Sequence, residues 1–371
     1  MTFAILVVAG SCLLLGFFAG FIMHRSDYCI AGMFRDLFLF RSTFMLRTLL
    51  LLIVISMVLF EGARLCGLLP FYPFPLLGTI SATNVIGGFL FGVGMVLAGG
   101  CVVGTLYKMG AGSILSLVAF IGLVVGSGLY AEIHPFWSNW ARKTVLLQGV
   151  ITLPQLFNLE PWVIVLPAVV ISVWCFRKWQ RQGLWVRQSY AEGYLQPWRA
   201  AVGLAIINLF SYIVVGMPMG ITTTYAKIAA YFERGFWPEH FATLSYFKAQ
   251  PLNAKLAWLD LQLLGGAAPE IDAIAFIQGP VIIGIIIGSA ISALILREFQ
   301  IRWQLPLRQY ASVLIGGIIM GLASRMAPAC NVWHLLGGLP ILALQSLIFL
   351  TGLLGGAWFG GRLLTRFVMK S

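Results

Sequence analysis

Charge is what this 371-residue sequence has least of: Asp, Glu, Lys and Arg together make up 10% of it. A soluble domain carries roughly 25%. Water does not solvate a surface so poor in charge, and lipid must cover most of it. Other shortages narrow the chemistry. The six cysteines show no CxxC spacing and the four histidines are scattered, which leaves zinc, haem and disulfide-scaffold readings without support. No Walker A pattern occurs, so direct ATP coupling is not expected. The opening MTFAILVV has neither a basic n-region nor a small-residue cleavage site and reads as a first span, not a removed signal. No cofactor and no resident metal are expected.

What the sequence has instead is apolar residues, 60% of the chain at a mean hydropathy of +0.93. They come in blocks of about 20, the length that spans a hydrocarbon core of roughly 30 Å as a helix. Nine long spans are expected, near 3–23, 45–67, 83–100, 113–132, 161–178, 199–217, 271–296, 309–325 and 340–364. Shorter apolar pieces interrupted by Gly, Pro or polar residues begin near Cys29, Cys101, Gly220 and Cys330. A membrane tolerates such broken or re-entrant helices only where protein buries them or where they line a cavity. The 41 glycines fit close helix packing and broken helices.

The net charge of +12 would suggest nucleic acid in a soluble protein. Here the cations sit in short loops between spans, so topology explains them and no nucleic-acid partner is expected. Of the 24 Lys and Arg, 16 fall on the side of the C-terminus, among them Arg187 and Lys370. That bias puts the C-terminus in the cytoplasm and, with an odd number of spans, the N-terminus outside. The densest cytoplasmic loop, 177–199, is flanked by Trp174, Trp179, Trp185 and Trp198, in the manner of an interfacial aromatic belt. The longest non-spanning stretch, 231–270, lies on the outer face and is expected to rest along the interface.

The strongest internal signal is a repeat. Ile86, Gly87, Gly88, Gly92, Ala98 and Cys101 recur as Ile315, Gly316, Gly317, Gly321, Ala327 and Cys330, every pair 229 positions apart (330 minus 101) with no gap. Each copy places small residues on a span, where a neighbour can approach closely, and then breaks the helix at a cysteine. Four spans precede the central span 161–178 and four follow it, which inverts the second half relative to the first. The expected organisation is therefore 1–133 as a first half-repeat, 134–198 as a central span with its connecting loops, and 199–371 as the inverted second half. The fold class is all-α integral membrane: about nine transmembrane helices plus short broken helices in an inverted pseudo-symmetric repeat. Folds of this kind handle their substrate near the midplane, where broken helices from both halves meet.

Three cysteines, Cys29, Cys101 and Cys330, stand at helix breaks; Cys12, Cys66 and Cys175 read as small packing residues in or at the ends of apolar helices. A thiol in apolar surroundings stays protonated. It donates a weak S–H hydrogen bond and does not repel an anion. Such a thiol suits a soft, sulfur-terminated anion better than a hard hydrated one, and helix N-termini at the breaks add partial positive charge. A series of weak sites suits passage better than one tight site. Arg25 and Arg35 either steer ions at the inner mouth or serve as positive-inside anchors, with Asp27 and Asp36 as their partners. Glu61 is either a proton site within a span or one half of an i,i+3 ion pair with Arg64. His334, one helical turn after Cys330, either lines the path or is a buried core histidine. Thr222, Thr223 and Thr224 either replace the thiol that the fourth break lacks or bond backbone carbonyls.

At HRSDYCIAGMFRD (24–36), LAGGCVVGTLYKMGAG (97–112) and APACNVWHLLGGLP (327–340) the sequence resembles the YeeE/YedE family of sulfur-transport membrane proteins. The resemblance implies uptake of thiosulfate into the cell across an inner (plasma) membrane. It implies that Cys29, Cys101 and Cys330 hand the ion inward through S–H···S contacts in an hourglass-shaped, channel-like protein. It further implies a cytoplasmic TusA-like sulfur-carrier protein as partner, beside the thiosulfate or related small anion and the membrane lipid itself. Some members of the family are linked to selenium, which leaves a selenium compound or another sulfur species as an alternative substrate. Pro328-Ala329 stands where the family usually has a glycine-containing pair, a departure that bears on the backbone shape at Cys330. A membrane-embedded sulfurtransferase is a second reading. It needs an activated thiolate, and Lys108, seven residues from Cys101, is the cation nearest in sequence on that side. A purely structural subunit gives no reason for repeated breaks at cysteines.

Overall fold

The computed structural model describes residues 3–186 and 192–369. Arg187 and Lys370, counted above among the cytoplasmic cations, lie outside the described residues. Within them, nine helices are long and apolar enough to cross a membrane. These are α1 (Phe3–Ser26), α3 (Phe44–Leu65), α4 (Ala82–Leu97), α6 (Ile114–Lys143), α8 (Pro161–Arg181), α9 (Pro197–Val215), α13 (Ala273–Ile295), α14 (Leu307–Met326) and α15 (Leu344–Leu364), each on one of the expected spans. Local chemistry sets their ends. Ser113 caps α6 and Asp272 caps α13 through their side-chain oxygens, satisfying N–H groups the first turn leaves free. α8 and α9 open on Pro161 and Pro197, where a missing N–H costs nothing. α6 runs to Lys143, through Pro135, well past the apolar block that marked it in the sequence.

Between the long helices lie α2 (Ile30–Leu39), α5 (Val102–Gly110) and α10 (Thr222–Phe236), and the short turns α7 (Leu153–Leu156), α11 (Pro238–Thr243) and α12 (Ser245–Lys248). A π-helical turn at Trp333–Gly338 follows Cys330. The four breaks expected from the sequence are thus the starts of α2, α5, α10 and this turn.

Helix packing exchanges the two ends of the chain. α1 packs on α13 and α3 on α9; α4 packs on α15 and α6 on α14; α4 and α14 cross each other. The repeat residues explain the crossing of α4 and α14. A Cβ on Gly87 would lie 2.5 Å from that of Ala327, and one on Gly316 would lie 2.4 Å from the Ala98 backbone nitrogen. Gly87 and Gly316 are matching positions of the repeat, and so are Ala98 and Ala327. The crossing is therefore the same contact made twice, and any residue larger than glycine would push the helices apart. α8 stands outside this pattern, with Val165 its one buried residue.

The stretch 231–270 holds a structure the sequence did not signal. β1 (Leu252–Leu256) and β2 (Leu261–Gly265) form an antiparallel hairpin with Leu252, Leu256 and Leu263 turned into the core. The segment is thus folded onto the helices. The Lys227 amine on α10 holds its end, donating to Asp272 at 2.7 Å and to the carbonyls of Ala268 and Glu270.

Candidate substrate path

Cys29 and Cys101 each occupy the residue just before a short helix, α2 and α5, and Cys330 stands just before the turn that begins at Asn331. All three side chains are buried, at 6%, 0% and 1% exposure. At Cys101 and Cys330 free N–H groups of the first turn point toward the sulfur. Gly104 N donates to the Cys101 sulfur at 3.3 Å, and the amides of Val332 and Trp333 are directed at Cys330. The helix ends thus give these two sulfurs a partly positive surrounding.

The three breaks bring the cysteines together. A Cβ on Gly104 would meet the Cys29 sulfur at 3.3 Å and the Cys101 sulfur at 3.4 Å, so both thiols flank one point on α5. Cys101 in turn lies within electrostatic range of Cys330. Unused polar groups surround the cluster. The Tyr225 hydroxyl, near Cys330 and Cys101, has no partner, and neither amide atom of Asn331, which sits close to the Cys101 thiol, reaches hydrogen-bonding geometry. Buried polar groups normally find partners, so these atoms stand beside the thiols with hydrogen-bonding capacity unused.

Two cavities approach the cluster from opposite ends of the fold. One, about 420 Å³, is lined by Cys330 with Thr222, Thr223, Gln278, Arg325 and Trp333, and reaches Tyr130 and His134 on α6. The other, about 580 Å³, is lined by His24, Asp27, Tyr107, Lys108, Glu298 and Arg302, and touches Ile114 at the start of α6. From Ile114 to His134 is 20 residues, about 30 Å of helix at 1.5 Å per residue and close to a hydrocarbon thickness. The first cavity reaches a cysteine directly. At the second, the Tyr107 hydroxyl donates to Asp27 at 3.1 Å, and Tyr107 stands beside Cys29 and Cys101.

A model of the sulphur transport family matches residues 25–359. The chain belongs to this family. Among curated relatives, the thiosulfate transporter TsuA of Spirochaeta thermophila is 29% identical, the alignment covering 93% of this chain and 96% of its own. TsuA of Escherichia coli is 28% identical over 93% of this chain and 92% of its own. A probable transporter of Escherichia coli, YedE, is 30% identical over 36% of this chain and 31% of its own.

The other residues singled out in this member of the sulphur transport family separate into those near the thiols and those committed elsewhere. Arg35 pairs with Asp36 at 2.8 Å, and its guanidinium and the Cys29 sulfur both approach Gly32, so it stands beside the first thiol. Arg25 donates to the Gly193 carbonyl at 2.7 Å and packs on Phe21, which ties down the 192–195 loop. Glu61 accepts two bonds from Arg64, at 2.9 and 2.8 Å, and is the buried half of an i,i+3 pair. His334 is fully buried, bonded through Nδ1 to Ser346 at 3.0 Å and stacked on Phe349, and lines neither cavity. Cys12 is buried in α1, while Cys66 and Cys175 sit toward the surface. Lys108 donates to the Gly99 carbonyl at 2.8 Å, so its charge supports the loop before Cys101.

Sequence reasoning overlooked Arg325. It stands five residues before Cys330 at the end of α14 and donates to Thr223 at 3.0 Å and to Thr222. A cation closing a span just ahead of a break cysteine was the available signal. Gln278, in the middle of an apolar block, was another: its Oε1 accepts from the Thr224 backbone at 3.1 Å, holding the start of α10. The threonines thus bond side chains of α13 and α14, within the same half of the chain, and not backbone carbonyls.

The departure at Pro328-Ala329 has a visible consequence. Ahead of Cys29 and Cys101 the left-handed residue comes two positions earlier, at Asp27 (φ 47) and Gly99 (φ 67). Ahead of Cys330 it is Ala329, one position earlier, at φ 123. Proline cannot adopt positive φ, so the turn shifts by one residue onto an alanine that is strained there.

Proposed function

We propose that this chain takes up thiosulfate across a bacterial-type inner membrane, passing it along Cys330, Cys101 and Cys29 from outside to inside. One observation carries the reading: three buried thiols, each opening a short helical element, stand together between two cavities that approach from opposite faces. The two relatives aligned over nearly their whole length are named thiosulfate transporters, which supports the substrate. Thiosulfate presents a soft terminal sulfur that an S–H group can contact weakly, and weak sequential contacts let it move on.

In this reading 1–133 and 199–371 are inverted halves around 134–198. The Arg325 cavity faces outward with the N-terminus, and the Asp27 cavity faces the cytoplasm with the C-terminus. Arg35 belongs to the inner end of the path. Arg25 and His334 act on it from behind, by holding a loop and by supporting the turn after Cys330. A TusA-like carrier collects the ion at the cytoplasmic mouth. No covalent step is needed, since Lys108 is engaged with a backbone carbonyl and, among the described residues, no cation pairs with the Cys101 thiol.

Proteoliposomes loaded with wild-type protein should accumulate radiolabelled thiosulfate, and Cys101→Ala should reduce this to the level of empty vesicles while the protein remains monodisperse. Uptake by the variant at the wild-type rate would remove the thiol path. A persulfide on any cysteine, detected by intact mass after exposure to thiosulfate, would favour a sulfurtransferase instead.

A further inference from the structure

The cavity that reaches Cys330 carries one full cation, Arg325, and its lining contains no carboxylate. Among the described residues no acidic group comes within ion-pair distance of Arg325. A half-buried guanidinium without a counter-ion asks for an anion, and its neighbours are suited to hold one. Of the five N–H groups on arginine, three are used: on Ser324 at 3.4 Å, on Thr223 at 3.0 Å and on Thr222. Two remain. Both threonine hydroxyls accept from the guanidinium, which leaves each hydroxyl hydrogen free to donate into the same space. Thr222 is also the first residue of α10, a helix of 15 residues whose free amides face its N-terminal end. A further donor lines the cavity: the Trp333 indole N–H belongs to a side chain only 5% exposed and has no protein partner.

We infer that Arg325, Thr222 and Thr223 form a capture site for the oxygen-bearing pole of the anion, set so that its sulfur pole meets Cys330. This rests on the proposed uptake function and adds its selectivity. Thiosulfate is two-ended: three charged oxygens at one pole, a polarisable sulfur at the other. The guanidinium and hydroxyls are hard donors that match the oxygens; Cys330, on the same cavity wall and within electrostatic range of Arg325, matches the sulfur. A volume of about 420 Å³ leaves room for the ion and several waters. The site therefore separates two tasks. Sulfate satisfies the oxygen pole and binds, but offers nothing to the thiol and does not proceed.

The test is thiosulfate uptake and its inhibition by sulfate in proteoliposomes, with equilibrium dialysis of labelled sulfate on the solubilised protein. Arg325→Gln should raise the KM for thiosulfate about tenfold to a hundredfold, the value of one charged hydrogen-bonding group, with the saturated rate held within about threefold. Sulfate inhibition should weaken in parallel. Arg325→Lys should recover part of the KM, since it keeps the charge and loses the fork. Thr222→Val with Thr223→Val should raise KM less, without changing charge. Cys330→Ala should abolish uptake yet bind sulfate as wild type does. Unchanged KM and sulfate inhibition in Arg325→Gln, with Cys330→Ala inactive in the same vesicles, would overturn the capture site and leave the thiol path standing. Wild-type vesicles that take up no thiosulfate would remove the transport reading; sulfate binding lost on Arg325→Gln would then still uphold the anion site.

Discussion

The two mouths of the protein are built from the same kind of parts, long helix ends and the start of a short helix, yet their charges are arranged differently. One presents Arg325 with two threonines and no acid, and opens onto a cysteine. The other presents the carboxylates of Asp27 and Glu298 among its cations, and a tyrosine bonded to Asp27 stands before the cysteines. A strict two-fold would make them alike. The pseudo-symmetry holds where helices cross, at Gly87 with Ala327 and Gly316 with Ala98, and lapses at the mouths. Packing is thus repeated while electrostatics is not: one mouth carries an unpaired cation, the other a balanced set of Lys108 and Arg302 against Asp27 and Glu298.

The comparison supposes a shared centre, and Gly104 is where to break it. Valine there would place its Cβ, with two methyls, at 3.3–3.4 Å from both thiols that the mouths share. Gly104→Val should lower thiosulfate uptake by more than about tenfold, equivalent to a barrier of at least 1.4 kcal/mol. Melting in detergent should confirm a folded protein; normal uptake would show that the ion does not pass between Cys29 and Cys101. A smaller effect tests the Asp27 mouth. Tyr107→Phe deletes the bond to Asp27, worth about 1 kcal/mol, and should speed thiosulfate exchange between preloaded vesicles and medium by up to about fivefold. A slower exchange would mean that the tyrosine guides the ion and does not hold the mouth shut.

The helices and breaks were legible because apolar length and interruption are strong local signals: all nine spans and all four break points stand in the structure where the sequence placed them. The repeat also pointed to the residues that cross, since only glycine and alanine fit there. Two things escaped. The hairpin at 252–265 has its pattern of buried leucines interleaved with Asn253, Lys255 and Gln262, too short to separate from a loop. Arg325 escaped because its meaning lies in partners about a hundred positions away, Thr222 and Thr223, and spacing along the chain cannot show that. The same distance explains Arg25, whose partner is a carbonyl at Gly193.

A still smaller effect is expected at the turn that distinguishes Cys330 from the other two thiols. Ala329 holds φ 123 with a Cβ. Ala329→Gly removes that penalty of order 1 kcal/mol, offset in part by the freer unfolded chain. It should raise Tm in detergent by about 1–3 °C without changing uptake. A lower Tm would show that the alanine packs more than it strains.

The smallest effect concerns a clasp at Glu132, which lies in sequence between Tyr130 and His134 of the Arg325 cavity. His240 on α11 bonds Glu233 at the end of α10 at 2.7 Å and approaches Glu132 on α6 at 3.6 Å. The bond to Glu233, then the field of Glu132, raises its pKa above the ordinary histidine value of 6.5. A raised folded-state value means the clasp contributes fully below that ordinary value and is lost as pH rises through the raised one. The pair is exposed and screened, so global stability should hardly move. Local opening is the better measure: hydrogen exchange across 236–244, corrected for its intrinsic pH dependence, should show more protection at pH 6 than at pH 8.5. His240→Gln should flatten that difference, and the loops at the Asp27 mouth should show no matching change. Equal protection at both pH values in the wild type would mean that the three side chains meet without holding α11 in place.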